Sequence, residues 1–108
     1  MEYSETLKHY DDAVALCQGI ERKGKSMPYT SANGHMFSLI NKEGELGIRF
    51  SKAEQERLIE ELNSDYFRSH GATMRGYVTM PKEIIRDAEK LAKFVMMGHA
   101  YVMSLDPK

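Results

Sequence analysis

The side chains that suit metal or nucleophilic chemistry are few here, and their spacing argues against a shared site. The four histidines, His9, His35, His70 and His99, fall at no i, i+3 or i, i+4 spacing, which a helical metal site would require. His35 opens an expected strand and is read as a partly buried end residue. The run Met96-Met97-Gly98-His99-Ala100-Tyr101-Val102-Met103 pairs thioethers with an imidazole, the donor set of copper(I). On a helix Met96, His99 and Met103 share a side and Met97 points elsewhere; with eight methionines spread along the chain, core packing is the better expectation. Cys17 lies on an apolar stripe with no cation beside it to lower its pKa, so it is read as structural. Glu60 and Glu61 are adjacent on a helix and diverge, and Ser31-Ala32-Asn33-Gly34 is a short turn without a phosphate-binding lysine. There is no glycine-flanked serine, phosphate loop or dinucleotide fingerprint. No catalytic residue, metal ligand or cofactor is therefore assigned, and the expectation is a protein that is not an enzyme.

Composition bounds the rest. A chain of 108 residues, 42% hydrophobic and 29% charged, has the balance of one globular domain spanning residues 1–108. Fifteen Lys+Arg against sixteen Asp+Glu give a net charge of −1, unlike the basic face of a nucleic-acid binder, so nucleic acid is not expected as a direct partner. The dense basic cluster Arg22-Lys23-Gly24-Lys25 is read as a helix C-terminus, with Gly24 as a left-handed cap. No apolar run approaches the ~20 residues of a membrane span. The acidic start, Met1-Glu2-Tyr3-Ser4-Glu5, is not a secretory signal, and one cysteine allows no internal disulfide. A cytoplasmic location follows as an expectation.

The elements that would position these residues alternate between helical and strand periods. Ser4 is expected to cap a first helix bearing Leu7, Tyr10, Val14 and Cys17, flanked by Ala13 and Ile20. Lys25 to Ser31 reads as an edge strand because of Pro28, and Asn33-Gly34 as a turn. His35 to Ile40 follows; then Leu46, Ile48 and Phe50 alternate with Glu45, Gly47 and Arg49, the pattern of a hairpin with one wet face. Ser51 and Glu54 have capping-box spacing at the start of a helix carrying Leu58, Ile59 and Leu62. A short strand is expected near Tyr66-Phe67, a turn at His70-Gly71, and a strand from Thr73 to Met80 with Met74, Gly76, Val78 and Met80 on one face. Pro81 suits the first position of a helical turn, and Asp87 caps a final helix with the seam Leu91, Val95, Gly98, Val102 and Leu105. The predicted class is α+β, a two-layer sandwich with an antiparallel sheet of about five strands, in the order α-β-β-β-α-β-β-α.

Two stretches carry a family resemblance. Gly34-His35-Met36-Phe37, a hairpin, and Leu46-Gly47-Ile48-Arg49-Phe50-Ser51 resemble the central hairpin of TfoX N-terminal domains; Met74-Arg75-Gly76-Tyr77-Val78-Thr79-Met80-Pro81 is similar to that family's other signature. The family's Met-Phe-Gly-Gly-like stretch is replaced here by Met27-Pro28-Tyr29-Thr30. The resemblance implies a free-standing bacterial domain of secretion-chaperone-like architecture, without the helical domain of full-length competence regulators, and supplies no catalytic residues. Three functions are expected in turn. The first is a non-enzymatic binding or adaptor module working through protein contacts, with a homodimer as one form and Phe94, Met97 and Tyr101 as partner-facing residues. The second, by family analogy, is a transcription- or competence-associated regulator. The third is a small-ligand binder or enzyme with a pocket near His35, Arg49 or Tyr77.

Overall fold

The alternation of Leu46-Gly47-Ile48-Arg49-Phe50 sends three large apolar side chains to one side, and the computed structural model, which describes residues 1–108, buries all three. Around them run α1 (Tyr3–Ala15), β1 (Tyr29–Ala32), β2 (His35–Ile40), β3 (Leu46–Arg49), α2 (Lys52–Glu61), β4 (Tyr66–Ser69), β5 (Ala72–Thr79), α3 (Lys82–Ile85) and α4 (Ala88–Met103). The five strands form one antiparallel sheet in the order β1-β2-β3-β5-β4, so β1 and β4 are its edges. α4 packs on β1, β2 and β3 and against α1, while α2 packs on β5. The class is α+β as expected, with the turn after Pro81 forming a short helix of its own.

The main core lies between sheet and helices. Tyr10 and Val14 of α1, Phe37 and Ile40 of β2, Leu46 and Ile48 of β3, Leu58 of α2, Val78 of β5, and Leu91, Val95 and Val102 of α4 meet there. Burying each such side chain contributes about 1.5–3 kcal/mol. On the other face Leu39, Phe67 and Tyr77 form a small second cluster, covered by Met27, Tyr29, Met36 and Met74 rather than by a helix. Two glycines let these layers close on β3. A Cβ on Gly47 would lie 2.4 Å from the Phe67 ring, and one on Gly98 of α4 would lie 2.9 Å from an Ile48 methyl and 3.0 Å from the Arg49 carbonyl oxygen.

The Asn33-Gly34 turn has positive φ at both residues, 56° and 80°, as the two-residue hairpin demands. It also anchors the end of α4. The Asn33 amide donates to the carbonyls of Val102 (3.0 Å) and Leu105 (2.9 Å), and the Lys108 amide donates to Asn33 (3.2 Å). A Cβ at Gly34 would sit 2.3 Å from the Lys108 carbonyl oxygen, so the chain end crosses directly over the turn.

Several expected details are corrected. α1 begins at Tyr3 with Glu2 at its cap, so Ser4 lies inside the first turn. It ends at Ala15, seven residues before Arg22, so the basic cluster is not its C-terminus. Arg22 instead reaches back to Asp11 through two hydrogen bonds, of 2.7 and 3.1 Å, and Gly24 turns the chain beneath the Met27 carbonyl. The first strand starts after Pro28, at Tyr29, since proline has no N–H to add to the ladder. The reciprocal capping box is half made: the Glu54 amide donates to Ser51 Oγ at 3.3 Å, but the Glu54 carboxylate accepts from Arg57. Pro81 occupies the cap position, one residue before the helix proper.

Two bulges overturn the simple alternation. Thr30 pairs with Ser38 and Ser31 with Met36, so Phe37 is an extra residue in β2. Phe37 and Ser38 therefore both meet the helical layer, while Leu39 joins the outer cluster, away from Phe37. Between the pairs Tyr66–Val78 and Arg68–Thr73, β4 advances two residues and β5 five. The surplus is Met74-Arg75-Gly76, with Gly76 at φ 94°, and it turns Met74 to the face opposite Val78 and Met80.

Beneath α1 lies a buried polar chain: the Tyr10 hydroxyl is 2.5 Å from Ser38 Oγ, which also meets Thr30 Oγ1. Thr6 is fully buried on the same helix, and its hydroxyl has no hydrogen-bond partner. An unpaired buried hydroxyl costs about 1–3 kcal/mol, and valine matches threonine closely in shape and helix propensity. Thr6→Val is therefore expected to raise unfolding free energy by about 1 kcal/mol, measured by urea denaturation; a loss of stability would mean the hydroxyl is satisfied in solution. Burial also raises the pKa of Tyr10, and raises that of Tyr77 from 10.0 to about 12. Both phenols ionise more readily unfolded than folded. The stability they carry is whole below pH 10.0 and is lost as pH climbs towards 12. Urea midpoints should fall above about pH 10, and less steeply in Tyr77→Phe; an unchanged slope in that variant would contradict the assignment.

Candidate functional site

Four elements bring their ends together beside the β5 bulge. Arg49 closes β3, and Ser51 caps α2 so that Lys52 is its first residue. Tyr66 opens β4, the surplus residues of β5 bring Arg75 and Gly76 alongside, and α4 contributes Tyr101 one turn beyond Gly98. Together with Phe50, Gln55 and Thr73 these line a concavity of about 730 Å³. Its lining holds three cationic side chains and no carboxylate.

None of the three cations is paired. The chain's five ion pairs use Lys8, Arg22, Arg57 twice and Arg86, and none uses Arg49, Lys52 or Arg75. The Arg49 guanidinium instead stands 5.5 Å from the centroid of the Tyr101 ring. A contact of this kind uses no N–H donor, and Arg49 is in none of the five ion pairs, so its N–H groups are free to donate. Gln55 is oriented by donating to the Phe50 carbonyl at 2.8 Å, and Tyr66 is 41% exposed at the lip. Nearby Glu54 is occupied by Arg57 at 2.7 Å on the α2 surface. The arrangement can attract and grip an anion.

A second feature is an apolar groove between the end of α1 and the outer side of α4. Leu16, Cys17, Ala92, Met96, Met97 and Ala100 line it, with Lys93 as its one charged residue. Of these, Leu16 is 58% exposed and Met96 40% exposed. Met103, two turns further along α4, is 52% exposed.

The residues singled out from sequence are distributed between these places. His35 and Tyr77 do not line the cationic hollow, and of the three expected pocket residues Arg49 alone does. His35 Nε2 lies 2.9 Å from the Asp106 carbonyl oxygen, which can only accept, so the proton sits on Nε2. Tyr77 is buried on the outer sheet face and donates to the Met36 carbonyl at 2.8 Å. Phe94 packs edge-on against Phe50, Tyr101 stands under Arg49, and both rest on the core, so of the three expected partner-facing residues only Met97 borders the groove. Burial raises the Cys17 pKa, and its thiol lies 3.4 Å from the Ala13 carbonyl oxygen. His99 meets the Phe37 ring edge-on at 5.6 Å. No three of the His, Cys, Asp and Glu residues are grouped to hold a metal ion, and no helix is long and apolar enough to cross a membrane.

Sequence reasoning passed over Lys52, Tyr66 and Arg75, since each reads singly as a solvated surface residue. One local signal was present: Arg49 and Lys52 bracket the capping serine, so both had to emerge where strand passes into helix. Comparison with protein-family models, with curated proteins and with solved structures finds no match.

Proposed function

We propose that this domain is a non-enzymatic binding module that acts through protein contacts, and that a second copy of the chain occupies the α1–α4 groove. The observation that carries the reading is the exposed apolar side chain of Leu16 at the rim of an open groove that five other apolar residues line with it. Knob and groove lie on one face, the condition for a two-fold contact in which each copy's Leu16 enters the other's groove. Methionines suit such a surface because the flexible thioether adapts to the shape it meets.

Recognition rather than catalysis also accords with how the reactive side chains are used. Cys17, Tyr10 and Tyr77 spend their polar atoms on internal hydrogen bonds. The single free cysteine suits a reducing cytoplasm. Kinship with TfoX N-terminal domains forms part of the proposal. It is supported by where the two motifs fall, one across β2, β3 and the α2 cap, the other along β5 up to α3. A transcription-associated role follows from that kinship alone and ranks second.

Light scattering across a concentration series tests the proposal. The expected mass is twice the 12.4 kDa of one chain, reverting to one chain in Leu16→Glu and Met96→Glu with the folded state intact by circular dichroism. A monomer at every concentration, or a dimer indifferent to both substitutions, would overturn it.

A further inference from the structure

We infer that the hollow formed by Arg49, Lys52 and Arg75 binds a small organic phosphate of mononucleotide size, its phosphates on the three cations and its planar ring against Tyr66. This site shares no residue with the α1–α4 groove and does not depend on self-association.

Charge is the first ground. Three cations face one concavity that has no carboxylate in its lining, and none of them is paired, although the chain forms ion pairs elsewhere. Without an anion these side chains repel one another, and a bound dianion removes that repulsion. Chemistry is the second. Two guanidinium forks match phosphate oxygens in pairs, and the Tyr101 ring 5.5 Å from that of Arg49 adds a contact that uses none of its N–H donors. Thr73 brings a hydroxyl with no protein partner in a hydrogen bond, which can add a further donor.

Size and shape narrow the class. About 730 Å³ lies within the ~300–1,000 Å³ typical of small-molecule sites. A polynucleotide track needs a basic stripe across a face, whereas this chain carries −1 overall and the hollow presents three cations around one concavity. Tyr66, 41% exposed at the lip, offers a ring face to a planar group, which sulfate or inorganic phosphate would leave unused.

Backbone geometry places the charges. The three surplus residues of β5 carry Arg75 out of the ladder towards Arg49, and Gly76 permits the positive φ of 94° that the detour requires. A Cβ at Gly76 would come to 3.5 Å from the Arg49 stem, so the bulge and the arginine lie in contact distance.

Isothermal titration at low salt with ADP, AMP, pyrophosphate and an oligothymidylate tests the inference. ADP should bind with a Kd below about 1 mM, more tightly than pyrophosphate. Lys52→Gln and Arg75→Gln should each weaken ADP roughly tenfold, and added salt should weaken it further. Both side chains are exposed, so the variants should keep the wild-type urea midpoint, and Tyr66→Ala should erase the preference for ADP over pyrophosphate. The inference is overturned by absence of ADP binding, by binding unchanged in the Lys52→Gln/Arg75→Gln double variant, or by binding of the oligonucleotide alone. Equal affinity for pyrophosphate and ADP would overturn the role given to Tyr66.

Discussion

The architecture depends on how closely α4 can approach β3. At Gly98 the helix has no side chain, and the space a Cβ would need is already taken by an Ile48 methyl at 2.9 Å and the Arg49 carbonyl at 3.0 Å. Glycine inside a helix costs about 1 kcal/mol relative to alanine. Close packing offsets that cost, because it lets Leu91, Val95 and Val102 bury completely against β2 and β3. On the reverse side Phe67 covers Gly47 in the same manner. β3 is thus pressed from both faces at neighbouring positions, which makes it the fixed reference for the surrounding elements.

The cationic hollow inherits this arrangement. Tyr101 lies one turn beyond Gly98, and the depth of the helix sets its distance to Arg49, the last residue of β3. The strand then passes through Phe50 and the capping Ser51 into α2, which fixes Lys52. Only Arg75 is placed by something else, the β5 bulge. Three like charges in one hollow work against stability, and the fold tolerates them because the hollow opens to solvent, where screening weakens the repulsion. The apolar groove lies elsewhere, between the end of α1 and α4, so α4 serves packing along its seam and exposes Met96 and Met103 on its outer side.

What was legible in the sequence was whatever repeats locally. The alternation through Leu46, Ile48 and Phe50, the Ser51 and Asp87 caps, and the Asn33-Gly34 and His70-Gly71 turns each depend on neighbours within a few residues, and the element order followed from them. The bulges were not legible, because an extra residue exists only relative to a partner strand; period two alone put Leu39 with Phe37 and Met74 with Val78. The end of α1 was misplaced because Cys17 and Ile20 continue its apolar spacing, although they pack on the core from the turn that follows. Of the candidate site, Arg49 was visible as one member of a suggested pocket. Tyr66, Arg75 and Tyr101 were not joined to it, since 52 residues of chain separate the first of the lining residues from the last, and the pairings of β5 with β3 and β4 bring them together.

The dependence on Gly98 is tested most directly by the equilibrium stability of Gly98→Ala, because helix propensity and packing make opposite demands on it. Propensity alone predicts a gain of about 1 kcal/mol. The new methyl would press on a β-branched side chain and a backbone carbonyl, neither of which can move freely, and overpacking of this kind costs about 1–3 kcal/mol. Dependence of the fold on the close approach at Gly98 requires a lower urea midpoint than wild type, with disturbed near-ultraviolet signal from Tyr101. A midpoint equal to or above that of the wild type would contradict it.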